Sequence, residues 1–423
     1  MEILILFGCL VVFLVLSIPI GISLGLATAI TLAATSDIPL IMIAQNAFAA
    51  LDSFPLLAIP FFMLAGSLMS YGGISKRLVT LAEALVGFIV GGLAMVTVMA
   101  CMFFAAISGS GPATVSAIGS FMIPAMKEKA YDQDFAAALA ATAGSIGVII
   151  PPSIPFVIYG VVSGASVGEM FISGIVPGIL IGLSLMLTSY FIAKKKGYPK
   201  SESRPRVWPA FKDAFWALLV PIIILGGIYG GIFTPTEAAV VASVYALLVG
   251  RFIYKELDFK SIYASFKDAS LVNGATTFMI GLSMSFASYL AMEQVPMKIG
   301  SWLLGISSNP AVIMLCINIL LLIIGCFVDN ISSMIILTPI LLPVVTKLGI
   351  DPIHFGLVMT VALAIGFVTP PYGANLFVAS AVSGVNMVKI SRAVVPLIIV
   401  MILCLMLFTY VPATSMGLVR LLR

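Results

Sequence analysis

The stretch that decides the fold is Gly144-Ser145-Ile146-Gly147-Val148-Ile149-Ile150-Pro151-Pro152-Ser153-Ile154-Pro155, and apolar segments lie on both sides of it. Pro151 and Pro152 have no backbone N–H and disfavour helix in the residue before them, so a helix that enters this stretch must break. Where no water is present, broken backbone persists only if it faces protein or a wet cavity. The stretch therefore predicts a broken membrane helix at a binding site.

The composition is that of a polytopic membrane protein. Of the 423 residues, 61% are hydrophobic and only 9% are charged, whereas soluble domains carry about 25% charged residues. At roughly 20 residues per spanning helix, the chain has room for about 10–13 membrane segments. The apolar run at the N-terminus lacks a basic region and a small-residue cleavage site, so we expect it to be a retained span.

The few charged and reactive residues fit a membrane protein better than a nucleic-acid binder or a metalloprotein. The basic loop at 193–213 is assigned to the cytoplasm by the positive-inside rule, and this explanation is favoured over a nucleic-acid or lipid-phosphate patch. The segment 255–267 is basic and amphipathic and predicts an interfacial helix. The five cysteines lie in apolar runs without a CxxC pair, and His354 is the only histidine. We therefore expect no disulfide framework and no thiolate metal site.

The two halves of the chain repeat each other at a constant offset of 219 residues. Ile146–Pro152 corresponds to Ile365–Pro371, and Pro124 corresponds to Pro343. Two interrupted apolar segments at corresponding places are typical of transporters built from repeats. We expect the repeats to be inverted, which with a cytoplasmic central loop would put the N-terminus outside.

This periodicity predicts a division of the chain into two repeats, each with a re-entrant hairpin and a broken helix. The predicted segments are a first repeat at 1–192 with hairpin 1 near 108–126 and broken helix 136–165, a cytoplasmic basic loop at 193–213, and a second repeat at 214–423 with hairpin 2 near 327–345 and broken helix 355–385.

Each half offers a pair of breaks that expose hydroxyls and backbone carbonyls, which are hard oxygen ligands suited to a hard cation. In a transporter with discontinuous helices, that cation is expected to be sodium, with two or more ions for two sites. The predicted ligands are Ser108, Ser110, Gly147, Ile150 and Pro152 in the first half, and Phe327, Asp329, Gly366, Thr369 and Pro371 in the second.

Asp329 is the one carboxylate among these residues. A carboxylate inside the membrane is costly and is by default functional; the alternative interpretation is that it caps the following helix, and the two roles are compatible. Free N–H groups at the ends of half-helices suit an anionic substrate. The side chains expected to bind it are Ser153, Asn330, Tyr372 and Asn375, with satisfaction of the freed backbone as the alternative for Tyr372 and Asn375.

Four motifs together resemble one family. They are Gly231-Ile232-Phe233-Thr234-Pro235-Thr236-Glu237-Ala238-Ala239, Ser108-Gly109-Ser110-Gly111-Pro112-Ala113-Thr114, Gly147-Val148-Ile149-Ile150-Pro151-Pro152-Ser153 and Thr369-Pro370-Pro371-Tyr372-Gly373. In the third motif of the second half-helix type we read Thr236 as a helix cap and Glu237 as a first-turn acid. Over nearly the whole chain the sequence is similar to the large membrane subunit of tripartite ATP-independent periplasmic (TRAP) transporters.

The resemblance implies sodium-driven uptake of a carboxylate, such as sialic acid or a C4-dicarboxylate, across the bacterial inner membrane. It implies a periplasmic substrate-binding protein and a small membrane subunit, which we expect to be a separate polypeptide. It also implies a fold similar to that of divalent-anion/sodium symporters, with a scaffold domain and a transport domain that moves as an elevator. The hairpin tips would lie near 108–112 and 329–332.

Three other functions were weighed against a subunit of this kind. A stand-alone sodium-coupled anion symporter or antiporter of the same superfamily shares every motif above. A membrane enzyme is disfavoured because the sequence has a single histidine, no HExxH, no Gly-x-Ser-x-Gly and no paired intramembrane carboxylates. A channel rarely needs two repeated broken-helix sites.

Overall fold

The computed structural model describes residues 2–16, 18–199, 206–307 and 309–422, and these residues form helices and no strands. The α-helices are α1 Glu2–Val15, α2 Ile20–Thr35, α3 Ile41–Leu51, α4 Ala58–Tyr71, α5 Ile74–Val86, α6 Gly92–Ser108, α7 Gly111–Glu128, α8 Gln133–Gly144, α9 Ile154–Ser163, α10 Val167–Lys196, α11 Val207–Tyr229, α12 Pro235–Leu248, α13 Phe259–Met292, α14 Val295–Ile306, α15 Pro310–Gly325, α16 Asn330–Lys347, α17 Pro352–Gly366, α18 Ala374–Ser383, α19 Met387–Tyr410 and α20 Ala413–Leu422. The fold class predicted from composition, all-α and polytopic, is confirmed.

The proline pairs break two helices as the sequence predicts. Helix α8 ends at Gly144, a 3-10 turn covers Ser145–Val148, and helix resumes only with α9. In the second half, α17 ends and α18 begins on either side of Pro370 and Pro371. Both Pro–Pro peptide bonds are cis.

The helix boundaries keep the spacing found in the sequence. Helix α7 runs from Gly111 to Glu128 and α16 from Asn330 to Lys347, so both ends are displaced by the same 219 residues. The starts of α8 at Gln133 and of α17 at Pro352 have the same offset. The structural counterparts of the two breaks can therefore be compared residue by residue.

The helices pack in two groups. In the first group α13 lies against α2, α3 and α4, and α12 lies against α4. The second group contains α6–α10 and α15–α20, and its centre is formed by α8 and α17, whose residues from Phe135 to Gly144 and from Ile353 to Gly366 are all buried. Helices α5 and α14 pack against members of both groups.

The helix that follows each tip packs against the half-helix that follows the other proline pair. Helix α7 contacts α18, and α16 contacts α9. The two tips and both proline pairs are therefore assembled together in the middle of the second group.

Seven helical segments of the described chain are long and apolar enough to cross a membrane: Phe54–Tyr71, Val167–Lys196, Val207–Tyr229, Pro235–Ile253, Phe259–Met292, Asn330–Lys347 and Met387–Tyr410. The other apolar helices are shorter, because the breaks divide the apolar runs into pieces. The interfacial helix predicted at 255–267 is wrong as a separate element, since α13 continues as one helix from Phe259 to Met292.

The cap of α12 also differs from the expectation. Thr234, and not Thr236, is the N-cap: its hydroxyl accepts from the Glu237 N–H, while the Glu237 carboxylate accepts from the Thr234 N–H at 2.8 Å. Pro235 occupies the first helical position, where its missing N–H costs nothing, and this sets the cap one residue earlier. Thr236 instead donates to the Phe54 carbonyl at 3.0 Å.

Candidate functional site

The first tip is a tight turn between α6 and α7. Gly109 has φ +62°, a left-handed conformation that favours glycine. Its carbonyl accepts a hydrogen bond from the Ile154 N–H at 3.2 Å, and a Cβ on Gly109 would lie 2.8 Å from the Pro152 carbonyl oxygen. The tip is thus held directly against the backbone that follows the proline pair.

The hydroxyl groups of this tip bond to one another and to the backbone. Ser108 Oγ lies 2.9 Å from Thr114 Oγ1, and Thr114 donates to the Ser110 carbonyl at 2.8 Å. A Cβ on Gly147 would lie 2.6 Å from both the Ser110 oxygen and Thr114 Oγ1. Four of the five predicted first-site residues, namely Ser108, Ser110, Gly147 and Pro152, are therefore together at this tip.

Two residues change the predicted first site. Ile150 is buried, and its side chain lies against Gly178 of α10, where an added Cβ would be 2.4 Å from Ile150 Cγ1. Thr114 was not predicted, although its hydroxyl is central to the contacts above. The available signal was a hydroxyl residue one turn after the N-cap Ser110, which is where a side chain returns to the cap.

The second tip contains a cluster of polar atoms without partners. Asp329 is the N-cap of α16, and its Oδ2 accepts from the Ser332 N–H at 3.1 Å, so the predicted capping role is confirmed. Its Oδ1, both amide atoms of Asn330, and the hydroxyls of Ser332 and Ser333 are buried and have no hydrogen-bond partner among the described residues. A buried polar atom without a partner costs about 1–3 kcal/mol. The oxygen atoms of this cluster are of the type that a hard cation binds.

The other predicted second-site residues surround this tip less closely. A Cβ on Gly366 would lie 2.3–2.5 Å from the backbone of Gly325, so α15 and α17 touch at the base of the tip. Thr369 donates to the Ile365 carbonyl at 2.7 Å. The side chains of Phe327 and Tyr372 are 61% and 62% exposed, and Pro371 is also exposed.

The predicted substrate-binding side chains are dispersed. Ser153 is fully buried and donates to the Val148 carbonyl at 2.6 Å, so its proton satisfies the broken helix. Asn375 is also fully buried and donates to the Ala141 carbonyl at 3.1 Å. Asn330 lies in the cluster of unpartnered atoms, and only Tyr372 of the four faces a cavity. Their role towards a substrate stays a prediction.

A cavity adjoins each tip, and the two cavities differ in chemistry. The cavity at the first tip has a volume of about 390 Å³ and is lined by Ser108 and Ser110 together with side chains of α4 and α13. The cavity at the second tip has about 870 Å³, and apart from Asp329, Cys326 and Tyr372 its side chains are apolar. The first cavity is the better candidate for a polar ligand.

A family comparison is now informative. The model of the DctM component of tripartite ATP-independent periplasmic transporters matches residues 7–414. The chain belongs to this family. Membership explains why the breaks, rather than any cluster of catalytic residues, are the organised polar places of this multi-pass membrane protein.

Two relatives and one solved structure place this DctM-family chain more closely. It is 50% identical over 416 residues to the isethionate TRAP transporter permease protein DctMQ of Oleidesulfovibrio alaskensis, a match that covers 97% of this chain and 65% of that protein. It is 39% identical over 438 residues to the C4-dicarboxylate TRAP transporter large permease protein DctM of Rhodobacter capsulatus, covering 100% of both. The Alcanivorax borkumensis YdaH transporter has a similar fold, with a TM-score of 0.64 at 14% identity, covering 87% of this chain and 86% of that one.

Proposed function

We propose that this chain is the large permease subunit of a transporter that takes up an organic anion, a carboxylate or a sulfonate, across the bacterial inner membrane, driven by a sodium gradient. A periplasmic binding protein would deliver the anion, and a separate small membrane subunit would complete the complex. Family membership supports the transport role. The names of the two relatives, isethionate and C4-dicarboxylate permeases, support the class of substrate.

The observation that carries sodium coupling is the cluster of unpartnered oxygens at the second tip. Asp329 Oδ1, the Asn330 side-chain oxygen and the hydroxyls of Ser332 and Ser333 all belong to the first turn of α16 or its cap. Desolvated oxygens without partners are unfavourable unless a cation or a ligand pairs with them. These residues would hold one sodium ion, which would supply the positive charge that this tip lacks.

A second ion would lie at the first tip. There Ser108, Ser110, Thr114 and Gly147 are in mutual contact, and their hydroxyls and carbonyls are again hard ligands. We assign Ile150, Pro152, Phe327, Gly366, Thr369 and Pro371 only to the surrounding backbone that supports the two sites.

The packing in two groups supports an elevator mechanism. Helices α6–α10 and α15–α20 carry both tips, and α5 and α14 join this group to the one that contains α2–α4 and α11–α13. In an elevator the first group would move as a body past the second, with each connecting helix as an arm. This movement is a conformational step of the kind that commonly sets transport rates.

The test is reconstitution of the complex in liposomes, with the binding protein on the outside and the anion radiolabelled. We expect uptake with an inward sodium gradient, and none when choline replaces sodium. Equal uptake in both salts would contradict sodium coupling. Robust uptake by this chain alone, without binding protein and small subunit, would instead favour a stand-alone symporter.

A further inference from the structure

The cavity at the first tip has a direction that can be read from α4. Its inner end lies where Gly66 meets the tip, because a Cβ on Gly66 would be 3.4 Å from Ser108 Cα. Its outer end lies at Tyr71, five residues further along the same helix. At 1.5 Å per residue the two ends are about 7 Å apart along the helix axis.

The inner end offers hydrogen-bond donors. Ser67 on α4 and Ser116 on α7 line the cavity from opposite walls, and neither hydroxyl has a partner among the described residues. Ser70, one turn from Ser67 on α4, also lines the cavity and has no described partner. The first turns of α7 and α9 border the same space through Ala113 and Ile154, and helix N-termini favour negative charge.

The outer end has the opposite character. The Tyr71 hydroxyl donates to Asp268 Oδ2 at 2.8 Å, so its proton is used and the pair offers only acceptor oxygens to a ligand. Asp268 is exposed, and no lysine or arginine lines the described cavity. A second negative charge on a ligand would therefore meet a carboxylate without a compensating cation.

We propose that this cavity selects a small monoanion with a hydrogen-bond donor at its far end, and that Asp268 and Tyr71 are the residues that impose this selection. The anionic group, carboxylate or sulfonate, lies at the inner end near Ser67 and Ser116. A hydroxyl on the ligand donates to the Tyr71–Asp268 pair at the outer end. Dicarboxylates are disfavoured because their second charge faces Asp268. The inference rests on the proposed function and specifies the substrate of the same transporter.

The chain length of the ligand follows from the geometry. About 7 Å separates the two ends of the cavity, which suits an anion of two to four backbone atoms between its charged group and its hydroxyl. Both 2-hydroxyethanesulfonate and 3-hydroxypropionate fall in this class. Propionate lacks the donor, and succinate replaces it by a second charge.

The experiment measures thermal stabilisation of the purified membrane complex by these four anions in saturating sodium chloride, without the binding protein, so that only the membrane site discriminates. We expect 3-hydroxypropionate or 2-hydroxyethanesulfonate to bind about 10-fold more tightly than propionate and succinate, the difference expected for one hydrogen bond or one unfavourable charge pair. Succinate binding at least as tightly as both hydroxylated anions would overturn the proposal.

Variants locate the selectivity. Asp268→Asn keeps an acceptor for Tyr71 but removes the charge, and we expect it to raise succinate affinity about 10-fold relative to 3-hydroxypropionate. Asp213→Asn is the matched control: Asp213 is an exposed carboxylate near Arg77 that does not line the cavity, and its replacement leaves the ratio unchanged. An unchanged ratio in Asp268→Asn would overturn the assignment.

Failure of the proposed function has a different readout. The same titrations in choline chloride report whether sodium is needed for anion binding. Loss of the sodium requirement with the selectivity intact contradicts sodium coupling but supports the inference, whereas intact sodium dependence without selectivity overturns the inference alone.

Discussion

The two breaks of this chain have the same outline and different interiors. At the first, Gly109 accepts a backbone hydrogen bond from Ile154, and Thr114 donates to the Ser110 carbonyl. At the second, no backbone hydrogen bond among the described residues joins 326–330 to 369–374, and Ser333, the counterpart of Thr114, has no partner. The first break is closed by the protein itself, and the second leaves polar atoms for something else to pair with.

Two substitutions between the halves explain this difference. The counterpart of Gly109 is Val328, and a β-branched residue does not adopt the left-handed turn that lets the first tip fold back. The counterpart of Ser153 is Tyr372. Ser153 is small enough to be buried against the Val148 carbonyl, whereas the Tyr372 ring lies exposed beside Phe377, with ring centroids 5.2 Å apart. A repeated backbone pattern thus carries two differently equipped sites.

The largest effect is expected from Asp329→Ala. Losing a charged group that binds a cation costs about 1.5–3 kcal/mol, which corresponds to roughly 10- to 150-fold weaker sodium affinity. Uptake against sodium concentration in liposomes measures it. Asp351→Ala is the matched control, because Asp351 also caps a helix through its carboxylate, at 2.8 Å from the Ile353 N–H, away from both tips. Equal sodium affinity in the two variants would refute the site.

The next largest effect is expected from Gly147→Ala. The added Cβ would lie 2.6 Å from the Ser110 oxygen, so the first tip must move, and overpacking of this kind costs about 1–3 kcal/mol. We expect uptake to fall while the complex still assembles. Gly274→Ala is the control, since nothing lies within 4 Å of its Cβ position. Full activity of Gly147→Ala would show that the first tip need not stay closed.

A smaller effect is expected from Ser153→Ala. It leaves the buried Val148 carbonyl without its donor, which costs about 1–3 kcal/mol of stability. The melting temperature of the complex and the KM for the anion are measured together. A lower melting temperature with an unchanged KM indicates that Ser153 serves the backbone, and a raised KM at normal stability supports the predicted contact with substrate. Thr80→Ala, at an exposed hydroxyl, is the control and changes neither.

The smallest effect is expected from Asp132→Asn, at the position that corresponds to Asp351. A hydrogen bond from Lys196 lowers the pKa of Asp132 below its ordinary value of 3.8. A lowered pKa means that the contact is complete above pH 3.8 and is lost only as the pH falls through the lower folded value. The pair is exposed, so its removal costs less than about 1 kcal/mol. Thermal melts should show a constant difference from pH 5 to 8; a difference that grows across this range would contradict the assignment.

Much of the fold was predictable because it follows from local rules. Pro151 and Pro152, and their counterparts, end helices wherever they occur, and the offset of 219 residues places the second break without any structure. The capping role of Asp329 also follows from the local sequence, since it precedes an apolar run. The errors came from rules that compete locally: charge suggested an interfacial helix at 255–267, but nothing in that segment breaks a helix, and α13 continues through it.

The candidate site was predictable only in part. Ser108, Ser110 and Gly147 are brought together as expected, but Ile150 lies against Gly178, and Ser153 and Asn375 spend their donors on backbone carbonyls. Which hydroxyl meets which carbonyl depends on how α7 crosses the broken helix, and sequence spacing does not describe this.

The sequence by itself determined that the chain is a membrane protein of two repeats with a proline break in each, because apolar composition and the missing N–H of proline act at the level of single residues. Only the tertiary structure decided that the first break is satisfied and the second is not. It also decided that Ser67, Tyr71 and Asp268 border the first tip, because these residues come from α4 and α13 and reach the tip only through helix packing.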